Sequence, residues 1–282
     1  MVIGPGASVA LERRRRTAAS FTGAYDAIPN IAAAYGMRRM RSAYTGSLLR
    51  LRRSSDNAES DFGYDADGHL DTAAISAWLS GSGYIVTWYD QSGNGYNATQ
   101  STAASQPLYV ASGQNGRPVG RWDGTNDYLY GGFSGVSAAT IVAIGLTNTN
   151  DRQLIDLRQT SSATPLLHLW QSVGGYASIR HRNNVNTLTN LESSVSFASI
   201  ALAVGIWTGS QLEIYVNGNN TPTPAAASGA TTIDEMWIGS PRGGASGYWN
   251  GDISELIICN AALSTGDRQA AEAAANDYWT VY

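Results

Sequence analysis

Along an extended backbone Ile253, Glu255 and Ile257 face one way while Ser254, Leu256 and Ile258 face the other, so residues 253–258 form a strand. Asn260 to Ser264 turn out of it. The following Ala-rich stretch, 265–278, reads as a helix capped by Ser264 with Asp267 in its first turn. Upstream, residues 49–53 alternate apolar with basic positions and form the expected first sheet strand, which Ser54 to Asp56 terminate. Further β-rich runs cover 84–89, 139–146, 153–157, 166–171, 176–180, 200–207, 211–216 and 236–239, separated by Asn/Gly/Ser turns at sandwich-like spacing. Two short helices are predicted as well. One spans 27–40, with Pro29 at its first position; the other is capped by Asp71 or Thr72 and closed by Gly81 and Gly83. No period of tens of residues suggests a solenoid or propeller.

Composition narrows this to an all-β protein with many turns. The chain has 282 residues, 31 glycines and only 14% charged residues, enough for one large core. Residues 25–282 are read as a single sandwich domain and 1–24, which lack an apolar period, as an extended N-terminal arm. No long apolar run predicts membrane insertion, and Gly4, Pro5 and Gly6 stand where an export signal needs apolar residues. Cys259, the single cysteine, lies in an apolar strand and reads as a buried, inert thiol.

Charge is uneven. All 18 basic residues are arginine, and the first 53 residues carry about +8 against −12 for the remainder. Arg13, Arg14, Arg15 and Arg16 form the densest cluster. Without interleaved aromatic residues they are poor base readers, so docking to an acidic protein surface is expected and nucleic acid is not.

Three motifs then point to a family. Gly120-Arg121-Trp122-Asp123-Gly124-Thr125-Asn126-Asp127-Tyr128-Leu129, Leu212-Glu213-Ile214-Tyr215-Val216-Asn217-Gly218 and the 248–264 segment together resemble the laminin-G-like, concanavalin A-like group. The resemblance implies a jelly-roll sandwich of two antiparallel sheets that commonly binds sugar. Tyr44-Thr45-Gly46, Arg53-Ser54-Ser55-Asp56 and Tyr89-Asp90-Gln91-Ser92-Gly93-Asn94-Gly95 are similar to the opening of the family 54 α-L-arabinofuranosidase catalytic domain. That likeness implies a retaining glycosidase with a carboxylate nucleophile and a carboxylic acid. The family's nucleophile position falls near Gln171, and the loop corresponding to its acid, 239–247, holds Arg242 and no carboxylate. No catalytic residue is therefore expected.

The phrases at 42–46, 52–59 and 89–95 also look like those of tailed-bacteriophage virion proteins. They imply a non-catalytic tail-fiber or capsid-decoration component, assembled in the host cytoplasm. Its arm would dock on other virion proteins and its sandwich would bind host surface polysaccharide for attachment, with a homo-oligomer as one option. A purely structural decoration protein and an arabinofuranosidase-like hydrolase are the alternatives.

The expected carbohydrate-binding residues are Trp170, Tyr176, Arg180, His181, Arg182, Arg242, Tyr248 and Trp249, which combine stacking faces with planar polar groups. Asp90, Gln91, Gly93 and Gly95 are expected to build a turn. The acidic run from Asp65 to Asp71 offers a calcium option, but it lacks a bidentate glutamate and reads better as a hairpin. His69, His168 and His181 are too scattered for zinc, and no cofactor is expected.

Overall fold

The structure is a computed structural model describing residues 21–160, 162–220, 222–242 and 246–282. The Arg13 to Arg16 cluster and its docking role lie outside the described residues. In chain order the first half contains β1 (Ile31–Gly36), β2 (Leu49–Arg53), β3 (Glu59–Phe62), α1 (Thr72–Trp78), β4 (Gly83–Trp88), β5 (Ala98–Thr99), β6 (Leu108–Val110), β7 (Val119–Asp123), β8 (Leu129–Gly132) and β9 (Ala139–Thr147). There follow β10 (Arg152–Gln159), β11 (Ser162–Gln171), β12 (Ala177–Arg182), β13 (Leu188–Glu192), β14 (Ala201–Trp207) and β15 (Gln211–Val216). The chain continues with β16 (Asn219–Asn220), β17 (Ala225–Ala226), β18 (Glu235–Ile238), β19 (Asn250–Cys259) and α2 (Thr265–Trp279).

The strands pair antiparallel throughout. One sheet runs β13–β12–β11–β10–β18–β8–β5–β4. The other runs β6–β7–β19–β9–β14–β15, with β1 beside β7 along the same edge of β19. β4 also pairs with β2 and touches β6, so it joins the two sheets at one side. This is the two-sheet, concanavalin A-like sandwich that the motifs implied.

Burial explains why β9, β14 and β19 read as continuous apolar runs. One side of each faces the sandwich core; beyond the other lie the N-terminal turns and α2, which packs on β9 and β14. Glu255 on β19 marks that second layer. Arg38 meets it at 2.9 Å, the Trp279 indole donates to it at 3.0 Å, and the Tyr25 hydroxyl donates to it as well. The Arg38 guanidinium also lies over the Tyr278 ring at 4.4 Å. Burial is the largest single influence on Arg38 and depresses its proton affinity, but Glu255 together with Tyr25 and Tyr278 outweighs it, and the net effect is to raise it.

Residues 27–40 do not form the predicted helix. Ile31 to Gly36 instead pair with Cys259 to Glu255, and Asn30 turns into the strand with a φ of 59°. Alanine's helix preference of a few tenths of a kcal/mol per residue is overridden by a ladder that buries Ala33, Ala34 and Tyr35 completely. β2, expected as the first strand, is thus the second.

The Asp90 to Gly95 turn holds β1 in place. The Asp90 carboxylate accepts from the backbone N–H groups of Ala34, Ser92 and Tyr96 and from the Ser92 hydroxyl. Gln91 accepts from the Met40 N–H at 2.8 Å and donates to the Arg38 carbonyl at 2.9 Å. Gly93 and Gly95 take positive φ within the turn. Asp65 closes its own hairpin by accepting from the N–H groups of Asp67 and His69. Among the described residues no cluster of three His, Cys, Asp or Glu could hold a metal. Burial raises the Cys259 thiol to a pKa of about 12.

Candidate functional site

Strand alternation divides β10 into two chemistries. Ile155 and Leu157 enter the core, which leaves Asp156 and Arg158 on the opposite face of the sheet. Register then aligns two rungs across four strands. Arg180 of β12, His168 of β11, Asp156 of β10 and Trp237 of β18 stand side by side, with Tyr130 of β8 next in line. The parallel rung carries Arg182, Leu166, Arg158 and Glu235.

Asp156 and Glu235 are almost fully enclosed, at 0% and 2% exposure. Arg158 Nε reaches Asp156 Oδ2 at 2.5 Å, and Arg242 bridges the carboxylates. Its backbone N–H donates to Asp156 at 3.3 Å and its Nε pairs with Glu235 at 2.7 Å. Burial raises the Asp156 pKa and the nearby Glu235 charge adds to it, against the lowering by Arg158 and by the Arg242 N–H. Burial, reinforced by Arg180, Arg158 and Arg182, holds the His168 pKa well below its ordinary value, so its imidazole is neutral.

The loop that brings Arg242 over the pair depends on Gly239. Its φ is 83°, and a Cβ there would lie 2.1 Å from the Trp122 indole nitrogen. The Gly239 N–H donates to the Leu154 carbonyl, and the Gly239 carbonyl accepts from Trp249 N–H, which folds the loop back onto β10.

This face concentrates buried polar atoms that lack a hydrogen-bond partner: Asp156 Oδ1, both His168 ring nitrogens, the Trp170 and Trp237 indole nitrogens, Ser240 Oγ, and Nε of Arg180 and Arg182. Each such atom forfeits roughly 1–3 kcal/mol in a closed protein interior. Aromatic rings border them. Trp237 packs between Tyr128 and Tyr130 at 5.0 and 4.9 Å, and the Arg180 guanidinium lies 4.2 Å above Trp170. Polar atoms awaiting partners beside aromatic faces and a carboxylate pair are the ingredients of a glycan site.

The expected sugar-binding residues separate accordingly. Trp170, Arg180, Arg182 and Arg242 reach this face. His181 does not, because alternation sends it into the core, where it stacks on Trp207 at 4.3 Å and meets Thr231 at 2.5 Å. Trp249 is likewise core: it has no exposure, packs edge-on against Phe197 and donates to the Asp252 carbonyl. Tyr176 is exposed in the β11–β12 turn, and Tyr248 is half-buried beside Gln153. Gln171 is structural, accepting from the Phe197 N–H at 2.7 Å. Asp156, His168, Glu235 and Trp237 were missed. Their signal was a carboxylate within an apolar run, Asp156 in Leu-Ile-Asp-Leu-Arg and Glu235 in Glu-Met-Trp-Ile, which alternation places away from the core.

A cavity of about 630 Å³ opens separately beside β4, β6 and β7, lined among others by Arg52, Tyr84, Asp123 and Asp127. Burial and the Asp123 charge raise Asp127 to a pKa of about 7.

Comparisons with known proteins agree with the sheet architecture. The family model for the catalytic part of α-L-arabinofuranosidase B matches residues 23–118, and that for the concanavalin A-like lectin/glucanase superfamily matches 132–267. The fold is concanavalin A-like. An α-L-arabinofuranosidase of Hypocrea jecorina is 38% identical over 74 residues, which cover 26% of this chain and 15% of that protein. A probable α-L-arabinofuranosidase B of Aspergillus terreus is 37% identical over 75 residues, with the same coverage. The solved arabinofuranosidase complexed with arabinofuranosyl-α-1,2-xylobiose superposes with a TM-score of 0.68 at 18% identity, covering 89% of this chain and 63% of its own. A family 54 α-L-arabinofuranosidase soaked with a cyclic sulfate inhibitor gives 0.68 at 20% identity and the same coverage. The chain thus corresponds to part of these longer proteins.

These matches overturn the expectation of a non-catalytic bacteriophage adhesin; they support its glycoside hydrolase alternative and nothing in them indicates a virion origin. The same matches run against the expectation that no catalytic activity is present. That expectation rested on two sequence positions, and it did not consider Asp156 and Glu235, which the register of β10 and β18 brings to one face.

Proposed function

We propose that the chain is a glycoside hydrolase that releases α-L-arabinofuranosyl groups, with Asp156 and Glu235 as its two carboxylates. The observation that carries this reading is their enclosure on one sheet face among unpartnered polar atoms, in a chain whose opening matches an arabinofuranosidase catalytic model. Glycoside hydrolysis needs an acid that protonates the departing oxygen and a carboxylate that serves the anomeric centre. Asp156, with its raised pKa, is suited to hold the proton and deliver it from Oδ1, which makes no hydrogen bond and lies 3.9 Å from His168 Nδ1. Glu235, ion-paired with Arg242, supplies the negative charge that an oxocarbenium-like transition state requires. Half-buried Trp237 offers a face to the sugar, and neutral His168 can donate to or accept from a hydroxyl.

Release of 4-nitrophenol from 4-nitrophenyl α-L-arabinofuranoside tests the reading. Asp156→Asn and Glu235→Gln are each expected to lower kcat/KM by about a hundredfold or more. Azide rescue of either variant and the anomeric configuration of the first product then separate the acid from its partner. No release by the folded wild-type chain, or full activity in both variants, overturns it.

A further inference from the structure

One end of the candidate face carries positive charge that the groups described so far do not balance. Arg180 and Arg182 project from β12 on the same side, opposite His168 and Leu166. Their neighbours across β13 are Asn190 and Leu188, both uncharged. Neither arginine forms an ion pair among the described residues, and Nε of each is buried without a partner. Asp151, Glu192 and Asp156 act on Arg180 only from beyond ion-pair distance, while burial and Arg182 lower its proton affinity. A neutral sugar would leave both guanidinium groups uncompensated as it displaced their water.

We propose that Arg180 and Arg182 bind an anionic substituent of the glycan, a uronate carboxylate or a sulfate ester, beside the Asp156–Glu235 pair. Two guanidinium forks on adjacent positions of one strand face match the planar or trigonal oxygens of such a group. Arg180 is already seated on Trp170, so one fork is oriented before the ligand arrives. The proposal takes the location of the glycan from the hydrolase reading and adds the class of glycan accepted there.

Calorimetry on the full chain tests it with three oligosaccharides of one length: a glucuronate-bearing form, a sulfated form and a neutral form. Hydrolysis of 4-nitrophenyl α-L-arabinofuranoside is measured in parallel. At least one anionic ligand is expected to bind about tenfold or more tighter than the neutral one, with the preference shrinking as salt rises. The preferred anion identifies carboxylate or sulfate as the group read. Arg182→Gln should reduce the anionic-to-neutral ratio by about tenfold, and Arg182→Lys, which keeps the charge but loses the fork, should reduce it less. Melting curves establish that both variants fold. Equal affinity for all three ligands overturns the proposal even if the arabinofuranoside is cleaved. Anion-selective binding without any cleavage upholds the arginine pair and overturns the hydrolase reading instead.

Discussion

His181 and Asp127 give the molecule opposing responses to pH, each traceable to one side chain. Burial lowers His181 to a pKa of about 4, below the roughly 6.5 of an unfolded chain. Its stabilising contribution is present above pH 6.5 and is lost as pH falls towards 4, because the unfolded state then binds the extra proton. Asp127 behaves in the reverse sense. Its folded value of about 7 exceeds the unfolded one near 4, so stability is lost as pH rises across that interval. Melting temperature against pH in two variants should resolve them. Asp127→Asn is expected to raise the melting temperature at pH 8 relative to wild type and to leave it unchanged at pH 3. His181→Gln should flatten the decline between pH 6.5 and 4. Curves parallel to wild type in both variants would assign the pH response to other groups.

Elements show which features could be read from the sequence. The β10, β11, β12, β14, β15 and β19 strands were legible because their apolar runs are bounded by turn formers and need no tertiary information. β1 was not, because an Ile-Ala-Ala-Ala-Tyr segment takes the conformation of its neighbour, and that neighbour lies more than 200 residues away. Part of the site was hidden for the same reason. Trp170, Arg180, Arg182 and Arg242 advertised themselves by residue type, whereas Asp156 and Glu235 are ordinary until β10 and β18 are placed in register. The α2 layer makes a separate prediction. Glu255→Gln leaves the Arg38 guanidinium buried without its counterion, so denaturant unfolding should show a loss of roughly 3–5 kcal/mol. Hydrogen exchange should report the earliest loss of protection in α2. A variant as stable as wild type would mean that Arg38 finds other acceptors, such as the Ala274 carbonyl that it already contacts at 2.9 Å.

For the whole molecule, the boundary between the two family matches is not a boundary in the fold. β1 and β7, from the arabinofuranosidase-like part and the residues just after it, lie along β19 from the lectin-like part, and β8, which leads from the gap into the second match, pairs with β18. Separate expression of 21–128 and 129–282 is therefore expected to give two insoluble or unfolded fragments that regain near-ultraviolet circular dichroism only when refolded together. Cooperative melting of either fragment alone would show that the core divides after all. β19 carries an added consequence for biosynthesis. Because β1, β7 and β9 all pair with it and it follows them by more than a hundred residues, those strands must wait on the ribosome with the edges that face it open until residue 259 has emerged. Yield should then depend on chaperone supply and on the pace of translation through the stretch that encodes residues 148–259.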